Sequence, residues 1–272
     1  MMPKFTNTAT VSTRERLVLR GGRWREFLPL RVRVGILERP EGIVLIDAGY
    51  SAESITALGR SRSLRTYAWA LKPELLPEGD PTTALARLGY TPDDVTAVII
   101  THFHVDHVSC LARFPQARLI ADAATYATVM GRSHWANMHR GIFPELLPAD
   151  MTERLDDTAQ KPTVDAPLGL GPARDIFGDQ SVLAVELPGH AEGHLGLCFN
   201  GEDRPLLYAT DTQWVTSALH GRSPRFPASL VAEDRATHME STARVAAFAD
   251  AGGTVLLCHD PDVTRYDLEY PK

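Results

Sequence analysis

Three histidines and one aspartate stand within six residues, directly after an apolar stretch of the chain. They are the ligand-type residues of the run THFHVDH at 101–107, namely His102, His104, Asp106 and His107. Imidazole nitrogens and carboxylate oxygens are the donors that divalent first-row metals bind. His102 and His104 are two apart, so an extended backbone projects both from one face, whereas Asp106 and His107 are adjacent and diverge. The spacing therefore predicts two neighbouring metal ions.

Further ligand-type residues end three later apolar, strand-like runs: His190, Asp211 and His259. Loops at the edge of a sheet carry chemistry while the strands hold them rigidly. Four strand ends with such residues therefore predict a metal site at one edge of a sheet scaffold. A histidine-rich surface loop, or an aspartate that caps a turn, explains each run alone but does not explain the set.

These motifs resemble those of the metallo-β-lactamase superfamily, and within it they are most similar to the acyl-homoserine lactonase branch. The HxHxDH run is followed by PGHxxGH at 188–194, by a carboxylate after a strand and by a terminal histidine. The segments LARLGYTPDDV at 85–95 and LCHD at 257–260 are similar to the lactonase branch. The resemblance covers the chain from Leu30 to Asp260 and is weakest over 132–178.

The resemblance implies an α/β (α+β) fold, a four-layer αββα sandwich of two mixed β-sheets with helices on the outer faces. We expect residues 1–272 to form one domain, because the ligand-type residues come from both halves of the chain. The segment 132–178 lacks periodicity, so we expect it to be a lid or active-site loop. The sequence also predicts a hairpin and four helices, at 30–46, 81–88, 106–114, 122–130 and 235–250.

The resemblance also implies a ligand set for two divalent ions, with zinc as the expected metal. One ion would be bound by His102, His104 and His190, the other by Asp106, His107 and His259, with Asp211 bridging both. A water held between two such ions ionises near neutral pH, and the hydroxide would attack a lactone or a related carboxylic ester. We expect Asp106 to orient this hydroxide and pass its proton to the leaving oxygen. The alternative is that Asp106 is a ligand with no proton role.

Several residues around the expected ligands are candidates for supporting and substrate-binding roles. By family analogy, Asp47 would hold the second ring nitrogen of a metal-bound histidine, or it is a turn residue at a strand end. His194 is expected to be structural. The lactonase branch has a tyrosine three residues after the bridging aspartate, where this chain has Trp214, whose indole donates a hydrogen bond but does not ionise. Trp214, Trp135 and Phe143 are candidates for the substrate pocket, or the last two pack a lid.

Composition limits the classes of partner and compartment. The net charge of −6 gives no electrostatic reason to expect nucleic acid. No apolar stretch approaches the roughly 20 residues that span a bilayer, and the N-terminus shows no secretory signal. Three cysteines cannot all pair with one another, which favours a reduced, cytoplasmic compartment. The expected partner is a small ester or lactone, and a homodimer is one candidate for the oligomeric state.

The function that the sequence favours is that of a quorum-quenching type lactonase or esterase with a dinuclear metal centre. A thioesterase or phosphoesterase on the same fold is the alternative. A di-iron oxidoreductase is less favoured, since that branch usually replaces the second motif histidine with glutamate and adds a flavin domain, and this sequence shows neither. A non-catalytic binding protein is disfavoured because every ligand position is filled.

Overall fold

The computed structural model describes residues 2–52, 55, 59–201, 203–224 and 232–268. The chain groups into two compact units. The first unit comprises Met2–Val11, Arg31–Asp157 and Val263–Lys272, and the second unit comprises Ser12–Leu30 and Thr158–Asp262. Each unit is assembled from separate stretches of chain. That residues 1–272 form one domain stays a prediction.

A mixed β-sheet lies mainly in the first unit. Its strands are β1 (Lys4–Arg14), β2 (Phe27–Arg39), β3 (Gly42–Ile46), β4 (Glu74–Leu75), β5 (Val95–Ile99), β6 (Arg118–Ala121) and β7 (Leu155–Asp157). Their order in the sheet is β4-β1-β2-β3-β5-β6-β7. The predicted hairpin is confirmed, since β2 and β3 pair antiparallel, with Gly35 opposite Ile46. Strands β3, β5 and β6 are parallel neighbours.

A second mixed sheet forms the second unit. Its strands are β8 (Thr163–Ala166), β9 (Gly171–Asp175), β10 (Val182–Glu186), β11 (Leu195–Phe199), β12 (Leu206–Tyr208) and β13 (Thr254–Leu256). The order is β13-β12-β11-β10-β9-β8, and every neighbouring pair is antiparallel except β12 with β13. Two mixed sheets with helices confirm the predicted α+β class.

The helices predicted from the sequence are present where an aspartate caps the N-terminus. They are α1 (Glu15–Val18), α2 (Arg62–Leu71), α3 (Pro81–Arg87), α4 (Val105–Val108), α5 (Ala123–Gly131), α6 (His134–Met138), α7 (Met151–Arg154) and α8 (Arg235–Asp250). The predicted helices α3, α5 and α8 are confirmed. Each has an aspartate N-cap, Asp80, Asp122 or Asp234, whose side chain accepts a hydrogen bond from a backbone N–H of the first turn. None of the described helices combines the length and apolarity that crossing a membrane requires.

Two segments differ from the sequence-based expectation. The helix predicted at 106–114 ends at Val108, where the Ser109 hydroxyl donates to the Val105 carbonyl and competes with the helical backbone bond. The segment 132–178 contains helices α6 and α7 and strands β7, β8 and β9. These strands are three to five residues long and are fixed by pairing, β7 with β6 and β8 with β9, so their sequences carry little periodic signal. The lid role of 132–178 stays a prediction.

Strand direction decides where the predicted ligands can lie within each unit. In the first unit, Asp47 follows β3 and His102 follows β5, which is the parallel neighbour of β3, so both leave the same edge of the sheet. In the second unit, β10 and β12 are both antiparallel to β11, and β13 is parallel to β12. Strands β10, β12 and β13 therefore run the same way, and His190, Asp211 and His259 leave one edge together.

Candidate metal centre

Alternation along the backbone sorts the first motif into apolar core residues and histidines that leave the opposite face. Phe103 and Val105 are buried in the hydrophobic core of the first unit. His104 has an extended backbone, with φ −65° and ψ 154°, so its side chain and that of His102 leave the opposite face. The Nε2 atom of His102 lies 3.0 Å from Nδ1 of His104. The structure therefore brings the two histidines together as the spacing predicts.

The last two residues of the motif lie at the start of helix α4. The His107 ring is 4.0 Å from the His102 ring between centroids, and its Nε2 is 3.6 Å from Oδ2 of Asp106, beyond hydrogen-bonding distance. His107 is fully buried, whereas the Asp106 side chain keeps 16% of its surface accessible. Asp106 is thus the member of this cluster with most access to solvent.

Asp47 holds the other nitrogen of the His107 ring. Its Oδ2 lies 2.8 Å from His107 Nδ1, and it accepts hydrogen bonds from the backbone N–H and the hydroxyl of Thr101. Burial raises the pKa of the Asp47 carboxyl, and His107 and Thr101 oppose that rise. Asp47 also has φ +60°, a conformation that non-glycine residues rarely adopt. The strained backbone places the carboxylate where it fixes the His107 ring through Nδ1.

A second cluster forms in the second unit around Asp211. Its Oδ2 lies 3.0 Å from Nε2 of His259 and 3.4 Å from Nε2 of His190. Donor atoms of Asp211, His259 and Cys258 lie within 4.8 Å of one another. Burial lowers the pKa of His259, but the Asp211 carboxylate and Cys258 outweigh it, and the pKa lies well above its usual value. The Asp211 carboxylate therefore favours a positive charge beside it, here on the His259 ring.

His194 and Thr210 position Asp211, and no motif in the sequence marks Thr210 for this role. One ring nitrogen of His194, Nδ1, lies 2.6 Å from the Leu187 carbonyl, and the other, Nε2, accepts from the Asp211 backbone N–H at 3.3 Å. The same Nε2 is 2.5 Å from the Thr210 hydroxyl. Thr210 has φ +46°, which is strained for a β-branched residue. Protein groups thus engage both nitrogens of His194, as a structural role requires.

The remaining candidates occupy different environments. Trp214 lines a cleft whose floor includes His190 and Asp211. Trp135 is 67% exposed on α6, whereas Phe143 is buried and packs edge-on against Tyr67, with ring centroids 5.2 Å apart. His238, which no spacing in the sequence singles out, is half-buried, and its Nε2 lies 2.6 Å from the Thr212 carbonyl. Its position depends on how α8 packs, which no short-range spacing reveals.

The donor chemistry of both clusters fits divalent metals. Each cluster supplies imidazole nitrogens and carboxylate oxygen, the set that zinc binds in proteins. The His107–Asp47 pair has the arrangement of a metal-binding histidine, whose second nitrogen is held by a carboxylate. Residues His102, His104, Asp106 and His107 would hold metal from the first unit, and His190, Asp211 and His259 from the second.

Comparison with known proteins gives the family. Residues 28–258 match the Metallo-beta-lactamase superfamily, and the chain belongs to it. N-acyl homoserine lactonase AttM of Rhizobium radiobacter is 28% identical over 236 residues, covering 84% of this chain and 81% of that protein. A probable metallo-hydrolase of Mycobacterium tuberculosis is 25% identical over 247 residues, covering 87% of this chain and 76% of that protein.

The solved structures agree in fold. The crystal structure of a Bacillus thuringiensis AiiA variant with N-decanoyl-L-homoserine at its active site superimposes with a TM-score of 0.69 at 18% identity. The match covers 95% of this chain and 92% of that chain. The fold expected from the sequence is thereby confirmed.

The loop that presents His190 depends on a glycine at 189. Gly189 has φ +114°, and a Cβ there would lie 2.1 Å from the backbone nitrogen of His238. We predict that Gly189→Ala destabilises the protein more than Gly178→Ala, which also has positive φ, +80°, but open space around it. The control should cost about 1–2 kcal/mol from backbone strain alone. Denaturant unfolding of both variants measures the difference, and equal losses would show that the close approach to α8 is unimportant.

Proposed function

We propose that this protein is a zinc-dependent hydrolase that opens lactones or cleaves related carboxylic esters. One ion would be held by His102, His104 and His190, the other by Asp106, His107 and His259, with Asp211 as the shared ligand. The observation that carries the proposal is the buried Asp47–His107 pair, which leaves Nε2 of His107 directed away from Asp47. The second observation is the position of Asp211 Oδ2, which is close to Nε2 of both His190 and His259.

Zinc held by these residues would supply the nucleophile. Two zinc ions would ionise a water near neutral pH and polarise the scissile carbonyl, so no serine or cysteine nucleophile is required. The role of the protein is to hold the ligand side chains of His107 and Asp211 in fixed orientations. Asp47 and Thr101 fix His107, while His194 and Thr210 fix Asp211, so the ligand positions are set before substrate binds.

Asp106 is the residue to which we assign the proton transfer. It is adjacent to His107, and it is the most accessible carboxylate of the first-unit cluster. A carboxylate in that position can orient the nucleophile, take up a proton and deliver it to the leaving alkoxide. His107 and His102 are buried imidazoles assigned to the metal, so they are poor candidates for the same task.

Lactones and carboxylic esters are the proposed substrates because the relatives include lactonases named for N-acyl homoserine substrates. Trp214 lines the cleft beside His190 and Asp211, at the position where the lactonase branch has tyrosine. The indole N–H can donate to a carbonyl oxygen, and its large face can pack an apolar substituent. We expect this substitution to change which lactone or ester is preferred. The cytoplasmic location, the absence of nucleic-acid partners and the homodimer stay predictions.

A substrate screen tests the proposed function. The protein, stripped with a chelator and then reloaded with zinc, is offered a γ-lactone, an aryl ester, a thioester and a phosphodiester. We expect hydrolysis of the lactone and the aryl ester that is lost on stripping and restored by zinc. Activity that survives complete stripping, or that is confined to the thioester or the phosphodiester, would contradict the proposal.

A substitution of Asp106 tests the proton-transfer assignment. Asp106→Asn should lower turnover by roughly two orders of magnitude or more, the scale of a lost acid–base group, while zinc content falls less. Elemental analysis and steady-state kinetics on the same sample separate the two effects. Asp203→Asn, an exposed carboxylate of the second unit, is the control. Proportional loss of zinc and turnover in Asp106→Asn would assign the residue to metal binding alone.

A further inference from the structure

A cleft in the second unit extends outward from His190 and Asp211. Its volume is ≈ 30 Å³, room for roughly two water molecules, so a substituent bound here would lie along its walls rather than inside a closed cavity. Its apolar walls are Trp214, Pro224, Ala232 and Met239, and its polar lining is completed by Gln213, Ser223, Arg235 and His238. The amide of Gln213 donates to the hydroxyls of Ser223 and Thr242, which fixes that part of the lining.

Helix α8 contributes three of the lining residues, Arg235, His238 and Met239. They are spaced at i, i+3 and i+4, so the helix presents them from one side. Arg235 and Met239 are exposed, and His238 is half-buried beneath them. On the outer wall of the cleft, the guanidinium of Arg235 therefore lies one helical turn from the apolar side chain of Met239.

The charge of this wall is fixed by Arg235. The preceding carboxylate, Asp234, is committed to capping the helix, since it accepts from the backbone N–H groups of Ala236 and Thr237. The ring of His238 is engaged beneath the wall, because its Nε2 lies 2.6 Å from the Thr212 carbonyl. Within the described part of the chain, the Arg235 guanidinium forms neither a hydrogen bond nor an ion pair. Among the lining residues described, Arg235 thus carries the one permanent positive charge.

We propose that this cleft binds a carboxylate carried by the substrate, with Arg235 as the residue that recognises it. The inference rests on the proposed function, because the proposed ligands His190 and Asp211 form the floor of the cleft. A guanidinium pairs with a carboxylate through two parallel N–H···O bonds, which a lysine cannot reproduce. Trp214 and Met239 pack the apolar part of the same substituent. The substrate class is therefore a lactone or ester whose substituent is apolar and ends in a carboxylate.

A pair of matched substrates tests this specificity. The two γ-lactones have the same ring and the same alkyl chain, and the chain ends in a carboxylate in one and in a carboxamide in the other. We expect the zinc-loaded wild type to prefer the carboxylate lactone in kcat/KM, through a lower KM. In Arg235→Ala the preference should fall about tenfold, the scale of one charge-assisted hydrogen bond. In Arg235→Lys it should fall by less.

Two further measurements make the outcome decisive. Added salt should weaken the preference of the wild type and leave that of Arg235→Ala almost unchanged, because only the former depends on a charge pair. Arg204→Ala removes an exposed arginine of the same unit outside the cleft, and it should keep the wild-type preference.

An unchanged preference in Arg235→Ala, or an equal loss in Arg204→Ala, would overturn the assignment of Arg235. Wild type that hydrolyses neither lactone while retaining zinc would overturn the proposed function and this inference with it. Wild type that hydrolyses both lactones without preference would overturn the inference and leave the proposed function intact.

Discussion

The contact between Asp47 and His107 is the interaction on which the chemistry of this protein depends most. Both side chains are fully buried, and taking a carboxylate and an imidazole out of water is costly unless each has partners. Asp47 is compensated by His107 and by the backbone and hydroxyl of Thr101. Because Asp47 follows β3 and Thr101 lies just beyond β5, this network ties together two parallel strands at the edge where the HxHxDH motif begins. The arrangement favours one orientation of the His107 ring.

In the second unit, different residues hold a buried carboxylate, that of Asp211, in position. Asp211 must leave β12 in a defined direction, and the strained backbone of Thr210 just before it provides that direction. The cost of a residue in this conformation is of order 1–3 kcal/mol, and the surrounding hydrogen bonds offset it. His194 supplies them through the Asp211 backbone N–H and the Thr210 hydroxyl. Both proposed carboxylate positions, Asp47 and Asp211, thus depend on a non-glycine residue with positive φ.

Much of the candidate site was predictable because its residues are close in sequence or end strong apolar runs. The spacing of His102 and His104 predicts their shared face, and apolar runs predict that His190, Asp211 and His259 end strands. The contributions of Thr210 and His238 were not predictable, since they arise from contacts between residues 16 and 26 positions apart. The strands within 132–178 were missed because pairing partners, rather than periodic side chains, define short strands.

The proposed ligand set makes a central claim, that two histidine and aspartate clusters bind two zinc ions per chain. Zinc counted by elemental analysis, after reloading and dialysis, tests that claim most directly. The account predicts about two zinc ions in the wild type and about one in the double variant His102→Ala, His104→Ala, since these histidines would supply two of the ligands of one ion and none of the other. His139→Ala, which removes an exposed imidazole, should keep the wild-type count. A wild-type count near zero, or an unchanged count in the double variant, would contradict the account.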